Sequence, residues 1–272
     1  MRKSVLIVTI LSALIFIALI ILLINGRDDS VNDTGKYSNL TSNNFEDDFE
    51  SYSTLDNAFK TDLSAWHGFQ KTIDGNIVEL TSEKAHSGSK SLKTFAVKSI
   101  GSETSKADIQ RELFNFTKGD DVWVSAWFYL VDSPSARDLF LFDIEAPGTK
   151  PLGQEISPGR RIYLGDKNQI TSDLGKWWEN NIFRQELGKE VPFPMEKWVN
   201  VKIHLFLSED DGIMEVWQDG VKVLNSSGMT LPEADSIYER IQTGITANGN
   251  TEYSQTVYVD DVIISDREIK SQ

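Results

Sequence analysis

WVNVKIHLFLS, residues 198–208, is the stretch that decides the fold. Val199, Val201, Ile203, Leu205 and Leu207 alternate with Asn200, Lys202, His204 and Phe206. A period of two puts all five aliphatics on one side of an extended chain, where a helix would scatter them. One side of this strand therefore faces a core, and the side carrying Lys202 and His204 does not. The same reading extends outward along the chain. VWVSAWFYLV (122–131) is β-branched and aromatic, and apolar on both faces. IMEVWQDGVKVL (213–224) is two short runs about Asp219-Gly220, a two-residue hairpin signal. TVYVDDVIIS (256–265) reads as a last strand, and NIVEL, SLKTFAV, DIQRELFNF, DLFLFDIE, RRIYLG and RIQTGIT as shorter ones. About ten strands without alternating helices point to an all-β, antiparallel β-sandwich rather than βαβ units. Only SDLGKWWENNIF (172–183) has the character of a short helix within this body.

Ahead of the strands, residues 4–24 form an uncharged apolar run of 21 residues, preceded by Arg2 and Lys3. At roughly 1.5 Å per residue such a helix reaches about 31 Å, enough for a bilayer core. The flanking positive charges place the N-terminus in the cytoplasm and the rest outside the cell or in the periplasm. Residues 26–44 are rich in Asp, Asn, Ser and Thr and read as a flexible spacer. The expected organisation is an N-terminal transmembrane anchor over 1–25, a polar linker over 26–44 and a β-domain over 45–268.

The 272 residues carry a net charge of -14. Removing Arg2, Lys3 and Arg27 from the 27 basic residues leaves 24 against 41 acidic ones in the rest. That excess disfavours nucleic acid as a partner, which needs clustered Lys and Arg. With no cysteine in the chain, disulfides, thiol catalysis and Cys-ligated zinc are excluded.

Several segments resemble jelly-roll domains that handle polysaccharides. They are DDFESY (47–52), AHSGSKSL (85–92), IQRELFNFTKGDDVWVSAWFYL (109–130), EKWVNVKIHLFLSEDDGIMEVWQDGVKVL (196–224) and VYVDDVIIS (257–265). Their order is similar to that of concanavalin A-like and laminin-G-like jelly rolls, and of the glucuronan-lyase-like and heparin-lyase-like families. The resemblance implies that the first and last strands lie side by side, with a structural calcium ion between them. Asp48, Glu50, Asp260 and Asp261 are its expected ligands, and the phase of Val257, Val259 and Ile263 turns Asp261 inward.

The resemblance also implies a glycan ligand on the concave face of one sheet. Strand phase nominates Arg111, Asp143, Glu145, Tyr163, Arg184, Gln185, Lys202, His204, Glu215 and Trp217. Lyase members cleave uronates with a histidine, an arginine or glutamine, and a tyrosine in a Lys-x-Gly-x-Tyr strand. Here Gln242-Thr243-Gly244-Ile245-Thr246 stands in that place, and Phe142-Asp143-Ile144-Glu145 stands where Gln-x-His is expected. Threonine cannot replace a phenol as acid near neutral pH. The leading expectation is a non-catalytic, membrane-anchored carbohydrate-binding module. The alternative is a polysaccharide lyase acting by β-elimination through His204 and Arg111.

Overall fold

The computed structural model describes residues 41–60, 62–63, 65–148, 158–175 and 181–270. The expected membrane anchor, most of the expected spacer and the Trp177-Trp178 pair lie outside these residues. Among the described residues no helix is long and apolar enough to cross a membrane.

Two antiparallel sheets make up the domain. The first orders β13 (Val221–Gly228), β12 (Gly212–Gln218), β11 (Trp198–Phe206), β6 (Asp121–Leu130), β15 (Gln255–Ser265), β4 (Ser91–Ala96) and β3 (Ile77–Thr81), and β1 (Phe45–Asp47) also pairs with β15. The second orders β10 (Ile182–Phe183), β9 (Ile170–Asp173), β8 (Gly159–Leu164), β7 (Leu139–Glu145), β14 (Arg240–Asn248), β5 (Ser105–Arg111) and β2 (Gly68–Lys71). The stretch that has some helical character contributes the ends of β9 and β10, and its middle, 176–180, lies outside the described residues.

Strand phase builds the core. Val199, Val201, Ile203, Leu205 and Leu207 are all fully buried, and Asn200, Lys202, His204 and Phe206 are only half-buried. Each such aliphatic contributes roughly 1.5–3 kcal/mol of burial. From the second sheet, Phe142 meets Phe128 of the first edge-on, ring centroids 5.1 Å apart. The Asp219-Gly220 turn has positive φ at both residues, 48° and 77°, which a tight primed hairpin requires.

The first and last strands do pair, Phe45 opposite Ile264 and Asp47 opposite Val262. One expectation at this seam is corrected. A register shift between Asp260 and Ile263 breaks the phase of β15, so Asp260 is the fully buried acid and Asp261 lies partly exposed at φ 48°.

Candidate functional site

The register of the second sheet sets one rung of side chains across all seven strands. It runs Gly68, Gln110, Gln242, Asp143, Arg161, Asp173, Ile182. The neighbouring rung, Ile109, Thr243, Phe142, Ile162, Ser172, Phe183, faces the core, and Phe69 at its β2 end is exposed. Alternation therefore turns the polar rung to the face away from the core. Arg240 and Glu145 oppose each other one step along the same face.

These groups are joined by hydrogen bonds. Gln242 Nε2 donates to Gln110 Oε1 at 3.2 Å. Arg240 Nε donates to Glu145 at 2.6 Å. Tyr163 stacks on Phe140 at 4.6 Å, and the Arg161 guanidinium lies 4.6 Å from the same Phe140 ring. Burial, with the nearby Glu145 charge, pushes the Asp143 carboxyl up to about 8. Burial also holds Asp108 well above the usual carboxylate range, and raises the Tyr163 phenol. The arrangement offers planar amides, a neutral carboxyl, an ion pair and an aromatic stack. Those are the groups that bind a polyhydroxylated ligand by hydrogen bonds and ring contacts.

The far face of the first sheet is built differently. Lys202 opposes Trp217, and His204 opposes Glu215, as their phases imply. His204 stacks on Trp123 at 4.1 Å. Lys202 and Lys222 stand over Trp217, at 4.6 and 4.9 Å from its centroid. His86 stacks on Trp127 at 3.7 Å. These indole faces are thus already engaged by cationic or imidazole groups of the chain itself.

A family model for polysaccharide lyases matches residues 59–263. The chain belongs to the polysaccharide lyase family. No match was found among curated proteins. Among solved structures, the endo-β-1,4-glucuronan lyase of the fungus Trichoderma reesei superposes with a TM-score of 0.60 at 18% identity, over 75% of this chain and 92% of that one. The cellulose-induced protein Cip1 gives 0.56 at 19% identity, over 84% and 100%. The alginate lyase Aly36B gives 0.50 at 10% identity, over 85% and 99%. At these identities the likenesses speak for the shared sandwich.

Within this family member the expected site residues divide between several places. Asp143, Glu145 and Tyr163 stand together on the far face of the second sheet. Arg184 is exposed just beyond β10, close enough to Tyr163 to act on it electrostatically. Gln185 is buried and clasps Val191, accepting from its N–H at 2.7 Å. Lys202, His204, Glu215 and Trp217 stand on the first sheet. Arg111 joins neither group. It shares the phase of Ala107 and Ile109, is fully buried, donates to the carbonyls of Leu63 and Glu112, and lies over Phe45. Asp108, Gln110, Arg161, Asp173 and Arg240 were not among the expected residues. The alternation of Asp108 and Gln110 with Ala107 and Ile109 was a signal that pointed to the first two.

The four acids expected around calcium each accept from protein donors. Glu50 takes the N–H groups of Ser89 and Lys90, at 2.7 and 2.6 Å, and the Ser89 hydroxyl. Asp260 takes the N–H groups of His86 and Ser87, and Asp261 takes the Ser87 hydroxyl at 2.7 Å. Asp48 caps the N–H of Glu50. Among the described residues no three His, Asp or Glu side chains gather as a metal cluster. Asp48 and Asp261 nevertheless line one cavity of about 460 Å³ at this seam.

Proposed function

We propose that this chain is a membrane-anchored, non-catalytic polysaccharide-binding module, with its ligand lying on the far face of the second sheet. The observation that carries the reading is the polar rung from Gln110 to Asp173 beside the Tyr163–Phe140 stack. β-Elimination on a uronate needs a base at C5, a group to neutralise the carboxylate and an acid for the leaving oxygen. That rung holds no histidine. His204 lies on the other sheet with both ring nitrogens engaged, and Arg111 is interior. Family membership favours the lyase as the second reading, with Tyr163 as the phenol on this face.

Incubating the chain with uronate polymers and following ultraviolet absorbance separates the two. The binding reading expects retardation of the chain in gels containing polysaccharide and no unsaturated product. Steady product formation would establish the lyase instead.

The apolar run at 4–24 behind Arg2 and Lys3 supports the anchoring and the outward orientation. Protease added to intact cells then removes the β-domain and spares a short cytoplasmic end. Calcium at the seam is part of the same proposal. Of the four expected ligands Asp48, Glu50, Asp260 and Asp261, Asp48 and Asp261 line the seam cavity and would supply its carboxylates, where the ion would brace a cysteine-free sandwich.

A further inference from the structure

On the reading that the second sheet carries the glycan site, three neighbouring groups of its polar rung form a chain. Gln110 on β5, Gln242 on β14 and Asp143 on β7 oppose one another in turn. Side chains placed directly opposite start roughly 4.5–5.5 Å apart. Gln242 is fully buried, and its Nε2 donates to Gln110 Oε1. Its own Oε1 is buried and meets no donor among the described residues. A buried carbonyl oxygen without a donor is costly. An amide that turns its nitrogen to one neighbour leaves its oxygen for the other, which here is Asp143. A carboxyl that keeps its proton supplies the missing donor.

The chain ends at the sheet edge. Gln110 Oε1 is taken by Gln242, so Gln110 Nε2 faces the other way, over Gly68 of the edge strand β2. A Cβ at Gly68 would lie 2.8 Å from that nitrogen, so only the bare backbone leaves it room. Gln110 is partly exposed, and its N–H groups are the end of the chain that a ligand meets.

The surroundings of Asp143 keep the proton on. Burial first, then the Glu145 charge on its own strand, push the carboxyl up to about 8, and Asp173 on β9 acts the same way. Asp108 on β5 is itself held well above the usual carboxylate range. Lys106 on β5, Arg161 on β8 and Arg240 on β14 oppose this, but Arg161 is bound at two points by Asp173 and Arg240 by Glu145. The Tyr238 phenol, raised by burial, stays neutral.

We propose that Asp143 positions the Gln110 amide, which presents its N–H groups to an acceptor oxygen of the glycan while Asp143 holds its proton, and its carbonyl oxygen once that proton is lost. Protonated Asp143 donates its O–H to Gln242 Oε1, and the chain runs outward to Gln110 Nε2. Ionised Asp143 accepts instead. Gln242 then turns its nitrogen to Asp143 and its oxygen to Gln110, and Gln110 turns its nitrogen inward and its oxygen to the ligand.

The test is titration calorimetry of the full chain in detergent at pH 6 and pH 9, with hexasaccharides of glucose, mannose, glucuronate and mannuronate. Whichever binds at pH 6 is expected to bind at least roughly 10-fold more weakly at pH 9, as one hydrogen bond is lost and a repelling oxygen takes its place. Asp143→Asn keeps a donor toward Gln242 at both values and should bring the ratio close to one. Gln110→Ala lets Asp143 ionise but removes the outward amide, and should also bring the ratio close to one. Binding that does not weaken at pH 9, or a fall that persists in either variant, overturns this proposal and leaves the polysaccharide reading standing. Failure of all four to bind at both pH values overturns both.

Discussion

Arg161 and Asp173 face each other across β8 and β9 and close a two-point ion pair, Nε to Oδ1 at 2.7 Å and Nη2 to Oδ2 at 2.8 Å. The fork geometry saturates the carboxylate edge of the guanidinium. The pair therefore sets the charge preference of the whole rung. Asp173→Ala would free the guanidinium for a ligand carboxylate. Uronate oligosaccharides should then bind about 10-fold more tightly than to the parent chain, as one charge-assisted hydrogen bond is gained. Calorimetry on the two proteins checks this, and unchanged uronate binding would contradict it.

Asp143 gives the domain a pH-dependent stability. Its carboxyl is raised from the ordinary value of 3.8 to about 8 by burial and by Glu145. Between those values the folded state holds a proton that the unfolded chain releases. The folded state is therefore favoured below about 4, and this contribution is lost as pH rises through about 8. The melting temperature should fall over that window. Asp143→Asn keeps the shape without the titration and should flatten the fall, measured by thermal denaturation at pH 5 and pH 8. An equally steep fall in the variant would assign the effect elsewhere.

His204 is clamped. Its Nδ1 meets Glu215 at 2.9 Å, its Nε2 meets Asp121 at 2.7 Å, and its ring stacks on Trp123. Those contacts make it a brace for the far face of the first sheet. His204→Ala should cost about 2 kcal/mol of stability, the size of losing a charge-assisted hydrogen bond. Polysaccharide binding should be unchanged. Denaturant unfolding and gel retardation read the two effects separately, and lost retardation in a folded variant would return His204 to the site.

Calcium should matter at the seam of β1 and β15. Chelation with EDTA is expected to lower the melting temperature by several degrees, and added calcium to restore it. Asp261→Asn should blunt the response. A melting temperature indifferent to chelation would leave the hydrogen bonds of Glu50, Asp260 and Asp261 as the only brace.

Much of the fold could be read from period-two patterning alone. The phase of β11 placed Lys202 and His204 off the core, and Asp219-Gly220 marked its hairpin because that turn demands positive φ at both positions. What patterning cannot carry is register between strands distant in the chain. Gln110 and Gln242 are 132 residues apart and meet only through the pairing of β5 with β14. Phase also fails wherever a strand slips. The shift between Asp260 and Ile263 exchanged the buried and exposed members of the Asp260-Asp261 pair. A further slip between Thr243 and Ala247 falls within the segment compared with Lys-x-Gly-x-Tyr. Nor does alternation say which of two sheets carries a ligand, since both far faces are polar and aromatic.

That choice of face is the central claim, and paired alanine variants test it most directly. Tyr163→Ala alters the second sheet and Trp217→Ala the first. Binding of the full chain to the polysaccharide that retards it should weaken about 10-fold with Tyr163→Ala, the size of one lost ring contact. It should be unchanged with Trp217→Ala. The reverse pattern, with both variants folded, would put the ligand on the first sheet and contradict the account.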